Sequence, residues 1–362
     1  MVSKIMRYLK RKYLSNRGYG FLLVLFLVVA CSEVIDLGGD PSDQFVLVYG
    51  RVTDGTAGNE IFISKTSSRS DGPQEPISGA IISLMSEEVV LGRYNELSNR
   101  PGEYRLNYTD SAREGLSYHV VIDLPSGEQI LSEPAIMPGL AARDSLSIIV
   151  DLVDFIISEQ GFRQANRAAQ LYVETKILER EEDFFLKWNI IEHYTALGTP
   201  MCCGPPPPPC YTQNDISGQE IRLFNGSELK PEVIPSRLFK NTKIDGRFAF
   251  IYYYSVIQTT IDRQAYEYWS QLQEIADLSG FVFDKTVGNI RGNLYYPNNA
   301  KKQVFGYFEV AHSDTTRMST DSDEFSFFLR EPCPAVPENF APECGNCLLI
   351  ENSTNNRPYF FR

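Results

Sequence analysis

The sequence predicts a mainly β protein, and three observations carry that prediction. Short runs of β-branched and aromatic residues recur roughly every ten to fifteen residues from Gln44 onward, divided by turn residues. Aromatic usage is weighted to strand formers, with Tyr 20 and Phe 22 against Trp 2. Only one segment carries a clear helical period, near residues 262–278.

The first element is not a strand. Lys4, Arg7, Lys10, Arg11, Lys12 and Arg17 form a basic head with no acidic residue before Cys31, and Phe21–Ala30 is wholly apolar. Ten helical residues cover about 15 Å, half of a ~30 Å hydrocarbon core, so the segment is too short to span a membrane. It fits the apolar region of a secretory signal peptide over residues 1–30. The close Val28-Val29-Ala30-Cys31 resembles the lipobox of bacterial lipoproteins. That resemblance implies cleavage before Cys31 and acylation of its thiol and amino group. Two or three acyl chains anchor stably, because each buried CH₂ contributes ~0.8 kcal/mol. Ser32, rather than Asp, follows the cysteine, so retention at the inner membrane is not indicated and the outer membrane is the expected address. The sequence leaves open which face of that membrane the protein occupies. An ordinary signal peptide with an incidental cysteine is the alternative.

Residues 31–43 read as a lipid-anchored polar tether. QFVLVYGRVTD, EIFISKTS, ISGAIISLM, VVLGRYNEL, GEYRLNY, SYHVVIDL and EQILSEPAIM then predict seven strand runs over 44–139, with the spacing of a β-sandwich. Pro125-Ser126-Gly127 predicts a hairpin turn between the last two, and Pro138-Gly139 closes the module. Residues 140–362 predict a second β-rich domain. It opens with DSLSIIVDLVDF, QLYVETKILE and FFLKWNIIEHYTAL and continues with IRLFN and RFAFIYYYSVIQTTI. In the helical segment Ala265, Trp269, Leu272 and Ala276 fall on one face, joined by Tyr266. Asp262 is the expected N-cap and Gly280 the expected stop, and the apolar face is expected to cover a sheet.

Charge and motif content limit the function. The formal charge is −12, and loss of the leader's six cations takes it to −18. Such a surface repels nucleic acid and anionic headgroups. No metalloprotease helix, nucleophile elbow, phosphate loop or dinucleotide fingerprint is present, so no catalytic residue, metal ligand or cofactor is assigned. His119, His193 and His312 lie in or at the end of strand-like runs without a neighbour at metal-ligand spacing. A triad assembled only in three dimensions stays open. The acidic groups at 179–183 and 321–324 lack the alternating ligands and glycine of a calcium loop and read as solvated turns.

The cysteines say more. With Cys31 assigned to lipid, Cys202, Cys203 and Cys210 form one cluster and Cys333, Cys344 and Cys347 another. An oxidising envelope compartment favours disulfides over zinc or thiol redox chemistry. Three cysteines per cluster means that full pairing requires a bridge between clusters. A bridge from Cys210 to Cys333 closes a loop of about 120 residues, worth roughly 4–5 kcal/mol in the chain-entropy treatment. Adjacent Cys202 and Cys203 have Cα atoms ~3.8 Å apart, too close for a mutual disulfide. Five prolines at ~3.1 Å per residue resist closing Cys203 onto Cys210. The proline segment is therefore expected to be tied to the C-terminal cluster.

Residues 265–311 contain Tyr266 and Trp269, Ser279-Gly280, Phe283-Asp284, Gly292-Asn293 and Gly306-Tyr307-Phe308. This stretch resembles the Bacteroidota lipoproteins grouped as domain-of-unknown-function family 4249. The ending, Cys344-x-x-Cys347 with a Pro-aromatic close, is similar to the family's tail, with Phe360-Phe361 where a Trp is expected and the double cysteine and prolines as elaborations. The resemblance implies an immunoglobulin-like or transthyretin-like first module and an outer-membrane lipoprotein that accompanies a TonB-dependent nutrient receptor. Its expected role is non-catalytic, as an accessory or as a capturer of a sugar or peptide ligand. The rival readings are an envelope hydrolase and a structural surface or adhesion protein.

Overall fold

One long strand, Val304–Thr320, joins the two halves of the large sheet. Its first half pairs in parallel with Val46–Thr53, and its second half pairs antiparallel with Tyr252–Ile261. The computed structural model describes residues 44–361 except 56–57, 68–73, 108–111, 157–160, 181, 199–205, 219, 229–230, 280–289, 326, 328 and 330–341. The leader, Cys31, the tether, Cys202, Cys203, Cys333 and Gly280 lie outside the described residues.

The protein is mainly β, as the sequence predicts. The first module forms β1 (Val46–Thr53), β2 (Glu60–Lys65), β3 (Glu75–Pro76), β4 (Ile81–Ser86), β5 (Val89–Leu97), β6 (Arg100–Asn107), β7 (Ser117–Asp123), β8 (Gln129–Ser132) and β9 (Ala135–Ile136), all overlapping the predicted runs except the two-residue β3. They run in the order β8-β7-β4-β5-β6-β2-β1. Alternation buries one face: Ile61 and Ile63, Ile82 and Leu84, Val120 and Ile122 all enter one core. The hairpin turn predicted at 125–127 forms, with Gly127 at φ 84° and its N–H donating to the Leu124 carbonyl. That left-handed backbone is open to glycine at little steric cost.

The second segment contributes β10 (Ala142–Ile156), β11 (Arg163–Ile177), β12 (Phe185–Ala196), β13 (Cys210–Asp215), β14 (Arg222–Asn225), β15 (Val233–Lys243), β16 (Tyr252–Ile261), helix α1 (Arg263–Ser279), β17 (Leu294–Tyr295), β18 (Val304–Thr320), the short helix α2 (Pro342–Gly345) and β19 (Ser353–Thr354). The sheet continues from β1 through β18-β16-β12-β13-β19, while β10-β11-β15 form a separate three-stranded sheet. Ala169, Leu171 and Val173 of the small sheet share a core with Leu186, Trp188, Tyr252, Tyr254 and Val256 of the large one. The break at Pro138-Gly139 thus separates two cores, but Leu294, Val304, Phe308 and Val310 return to the first. Residues Gln44–Arg362 form one compact unit.

The predicted helix runs one residue later than expected. Asp262 caps it, its carboxylate accepting the Ala265 N–H at 2.7 Å. Ala265, Leu272 and Ala276 are buried as predicted, against Phe185, Ile261, Tyr307 and Ala311, and Tyr268 joins them. Alternation along β18 sends Phe308 and Val310 to the first core and Tyr307 and Ala311 to the helix.

The stretch around Gly292 and Gly306 forms a tight backbone crossing. Gly306 has φ 103°, and a Cβ there would sit 1.9 Å from the Val48 carbonyl oxygen of β1. A Cβ on Gly292 would sit 1.6 Å from the Gly306 oxygen. Asn293 then imitates a strand partner: its amide donates to the Phe308 carbonyl at 2.8 Å and its side-chain oxygen accepts the Phe308 N–H at 2.9 Å.

Candidate functional site

Three charged residues, Lys187, Glu192 and Glu309, interrupt apolar strand runs, and each is buried with partners. Lys187 of β12 faces α1, where its ammonium lies 2.5 Å from Glu309 of β18 and 4.1 Å from the centre of the Trp269 ring. Trp269 donates its indole N–H to the same carboxylate oxygen at 2.7 Å. Burial pushes the Lys187 ammonium down, and Glu309 opposes that. Glu192, also on β12, accepts from Asn214 at 3.0 Å, from Arg247 at 2.7 Å and from the Tyr252 hydroxyl. Asp144 of β10 accepts from Thr175, Trp188 and Gln258, which ties the small sheet to the large one. Burial raises its carboxyl against those three hydrogen bonds.

The histidines were the sequence's nearest approach to catalysis. His193 Nε2 lies 2.9 Å from the Ser255 hydroxyl. His193 Nδ1 has no hydrogen-bond partner among the described residues, so no carboxylate orients the ring. Ser255 is 2% exposed, and Phe360 and Phe361 lie edge-on against His193. Burial and the Arg317 charge push His193 down to about 4. His312 sits elsewhere, with Nδ1 2.6 Å from Asp54. Burial pushes the Asp54 carboxyl up, but hydrogen bonds from His312 and from the Ser313 N–H prevail and hold it low. Neither pair completes a Ser–His–Asp set among the described residues. His119 stands on β7, and burial lowers it. Among the described residues no group of three His, Cys, Asp or Glu is placed to hold a metal ion.

The cysteines do what parity required of them. Cys210, at the end of the proline segment, is disulfide-bonded to Cys347, 137 residues away. Cys344 is disulfide-bonded as well. β19 adds to β13 beside the bridge, Asn355 donates to the Pro209 carbonyl at 3.0 Å, and Phe361 packs on Tyr211 and Tyr253.

Two surface features stand apart from these buried networks. The outer halves of β10 and β11 form a ribbon that β15 does not reach, since β15 pairs β11 only from Ala168 onward. On it Leu152 and Ile156 are 66% and 65% exposed. The second feature is an open cavity of about 400 Å³ where the β13–β14 connection meets β15. Ser217, Glu220, Arg222, Leu238, Lys240 and Asn241 line it. Arg222 is fixed by the Phe239 carbonyl at 2.6 Å, the Ser217 carbonyl at 3.3 Å and the Glu220 carboxylate. Sequence reading missed this site because its residues come from separate polar connections without a motif. Lys187, Glu192 and Glu309 did leave a sign, as lone charges inside FFLKWNII, WNIIEHY and GYFEVA.

Fold and site together define a mainly β, disulfide-stapled protein with an open polar cavity and an exposed apolar ribbon. The chain belongs to the family of the domain of unknown function DUF4249, whose model matches residues 33–317. The match takes in 265–311 and ends before the Cys-x-x-Cys tail. No curated protein matches the chain, and no solved structure does.

Proposed function

We propose that the protein is a non-catalytic lipoprotein, anchored to the outer membrane through acylated Cys31, that acts as an accessory or ligand-capturing partner of a TonB-dependent nutrient receptor. The observation that carries the reading is the β10–β11 ribbon. Aliphatic side chains on an extended two-stranded arm give a partner an apolar surface and an edge strand to pair with. The leader and lipobox support membrane attachment, and the cavity supports capture of a small ligand.

The test is affinity purification of the tagged protein from detergent-extracted membranes at native expression. A TonB-dependent receptor is expected to accompany the wild-type protein and to be lost from Leu152→Lys and Ile156→Lys variants that keep the wild-type unfolding midpoint. Recovery as a lone monomer overturns the reading. Mass spectrometry of the N-terminal peptide checks for acylated Cys31.

A further inference from the structure

The small sheet has two edges, and they differ. β15 ends it on one side with Pro235, Arg237, Lys240 and Lys243 and with two shifts of register against β11, features that discourage further pairing. β10 ends it on the other side, in unbroken register with β11 from Ala142 to Ile156. Between Asp144 and Ile156 it has no proline and no cation. Ile148-Ile149-Val150, Leu152-Val153 and Phe155-Ile156 form the near-continuous apolar run of a strand covered on both faces, yet Leu152 and Ile156 are exposed.

The hydrogen bonds define which groups this edge leaves open. Opposed residues of an antiparallel ladder alternate between pairs that exchange both backbone hydrogen bonds and pairs whose groups point away. Leu178 donates to the Ala141 carbonyl, one step outside the Ala142–Ile177 pair, so odd-numbered residues of β10 bond β11 and even-numbered ones face outward. Two outward groups agree with this. The Asp144 carbonyl accepts from the Thr316 hydroxyl of β18 at 3.4 Å, and the Leu152 N–H donates to the Asp151 carboxylate at 2.7 Å. Beyond Asp144 the outward groups of Ile148, Val150, Asp154 and Ile156 have no protein partner among the described residues. Asp151 and Asp154 are exposed there and form no ion pair among the described residues.

We propose that the β10 edge from Ile148 to Ile156 receives an extended segment of the partner protein as an added strand, with a lysine or arginine of that segment set against Asp151 or Asp154. The proposal deepens the partner half of the reading above and rests on it. The outward backbone groups supply the pairing and the side chains on either face supply the selectivity. In the free protein the Asp151 carboxylate stands in for an incoming carbonyl at the Leu152 N–H, and a cation on the added strand draws it away. A second copy of the chain is the poorer occupant, because it brings its own Asp151 and Asp154 beside these and carries the same formal charge of −12.

Affinity purification from detergent extracts, with the receptor identified by mass spectrometry, is repeated with variants of this edge. Val150→Pro removes an outward N–H and no bond to β11, and proline is tolerated on edge strands. It is expected to keep the wild-type circular dichroism and to reduce receptor recovery about 10-fold or more, while Val150→Ala, which keeps the N–H, retains most of it. Hydrogen exchange at the Ile148, Val150, Asp154 and Ile156 amides is expected to be slower in the purified complex than in the free protein. The double variant Asp151→Asn/Asp154→Asn is expected to recover about 3- to 10-fold less receptor and to lose the salt dependence of the wild type. Full capture by Val150→Pro, with Leu152→Lys still deficient, overturns strand addition and leaves the partner reading standing. Equal salt dependence in the wild type and the double variant overturns the cationic residue on the added strand. Differently tagged copies that co-purify through wild-type β10 and not through Val150→Pro assign the edge to a second copy and overturn the partner strand. Recovery as a lone monomer overturns both readings.

Discussion

The Lys187 ammonium lies 2.5 Å from the Glu309 carboxylate, and both side chains are shut away from water. Taking two charges out of water is costly, and their attraction repays that cost only while both are present. Lys187→Met alone is therefore expected to destabilise the fold by about 3–5 kcal/mol, since it leaves the Glu309 charge without its counter-ion. Adding Glu309→Gln removes the stranded charge and keeps an acceptor for the Trp269 indole. The double variant is expected to recover most of the loss in urea unfolding. A double variant no more stable than the single one refutes this account.

The crossing at Gly292, Asn293 and Gly306 predicts a second sensitive point. Asn293→Ala removes both hydrogen bonds to the Phe308 backbone and leaves a buried N–H and C=O unpaired. Each orphaned group costs ~1–3 kcal/mol, so a loss of roughly 2–6 kcal/mol is expected. Gly306→Ala places a methyl group against the Val48 carbonyl in a left-handed backbone and should separate β1 from β18. Hydrogen exchange checks this directly: protection along Val46–Thr53 is expected to fall before protection in β12 and β16.

Where alternation was strong, the fold was legible. The strands of the first module and β10, β11, β12 and β16 follow apolar runs, and α1 follows its 3.6-residue period. Two long strands were not legible, for different reasons. β15 reads VIPSRLFKNTK and is mostly exposed, and its buried Ile234, Phe239 and Thr242 break the period-2 alternation because the pairing with β11 shifts register twice, so no strand pattern reveals it. β18 pairs with β1 in its first half and β16 in its second, and its polar HSDTTRMST half looks like a turn until β16 is placed beside it. The cysteine linkage was legible because parity does not depend on fold. The cavity was not, because Lys240 and Asn241 meet Ser217 and Arg222 only through the packing of β15 near the β13–β14 connection.

His193 predicts a pH dependence. Its folded value of about 4 lies below the ordinary 6.5. Between those values the unfolded chain holds a proton that the folded chain does not, so stability rises with pH across the window. The contribution is complete above pH ~6.5 and is lost as pH falls toward 4, amounting to about 3 kcal/mol. His193→Gln is expected to flatten the slope of unfolding free energy against pH in that interval. A slope equal to that of the wild type assigns the effect to other groups.

The Cys210–Cys347 bridge links this titration to the tail. Closing a loop of 137 residues is worth about 5 kcal/mol in the chain-entropy treatment, and removal of native bridges typically costs 2–5 kcal/mol. Cys210→Ser/Cys347→Ser should lower stability by that amount, because β19 contributes only the two pairs Tyr211–Thr354 and Thr212–Ser353 to hold the tail in place. Release of the tail also withdraws Phe360 and Phe361 from His193, which re-admits water to the imidazole. The variant is therefore expected to show a His193 value moved back toward 6.5 by NMR titration and a C-terminus open to limited proteolysis. Substitutions that only enlarged the unfolded ensemble would lower stability and leave His193 and the protease pattern unchanged. On the wild-type protein, non-reducing peptide mapping is expected to recover the Cys210 and Cys347 peptides as one species, and a map with bridges confined to each cluster would overturn the linkage.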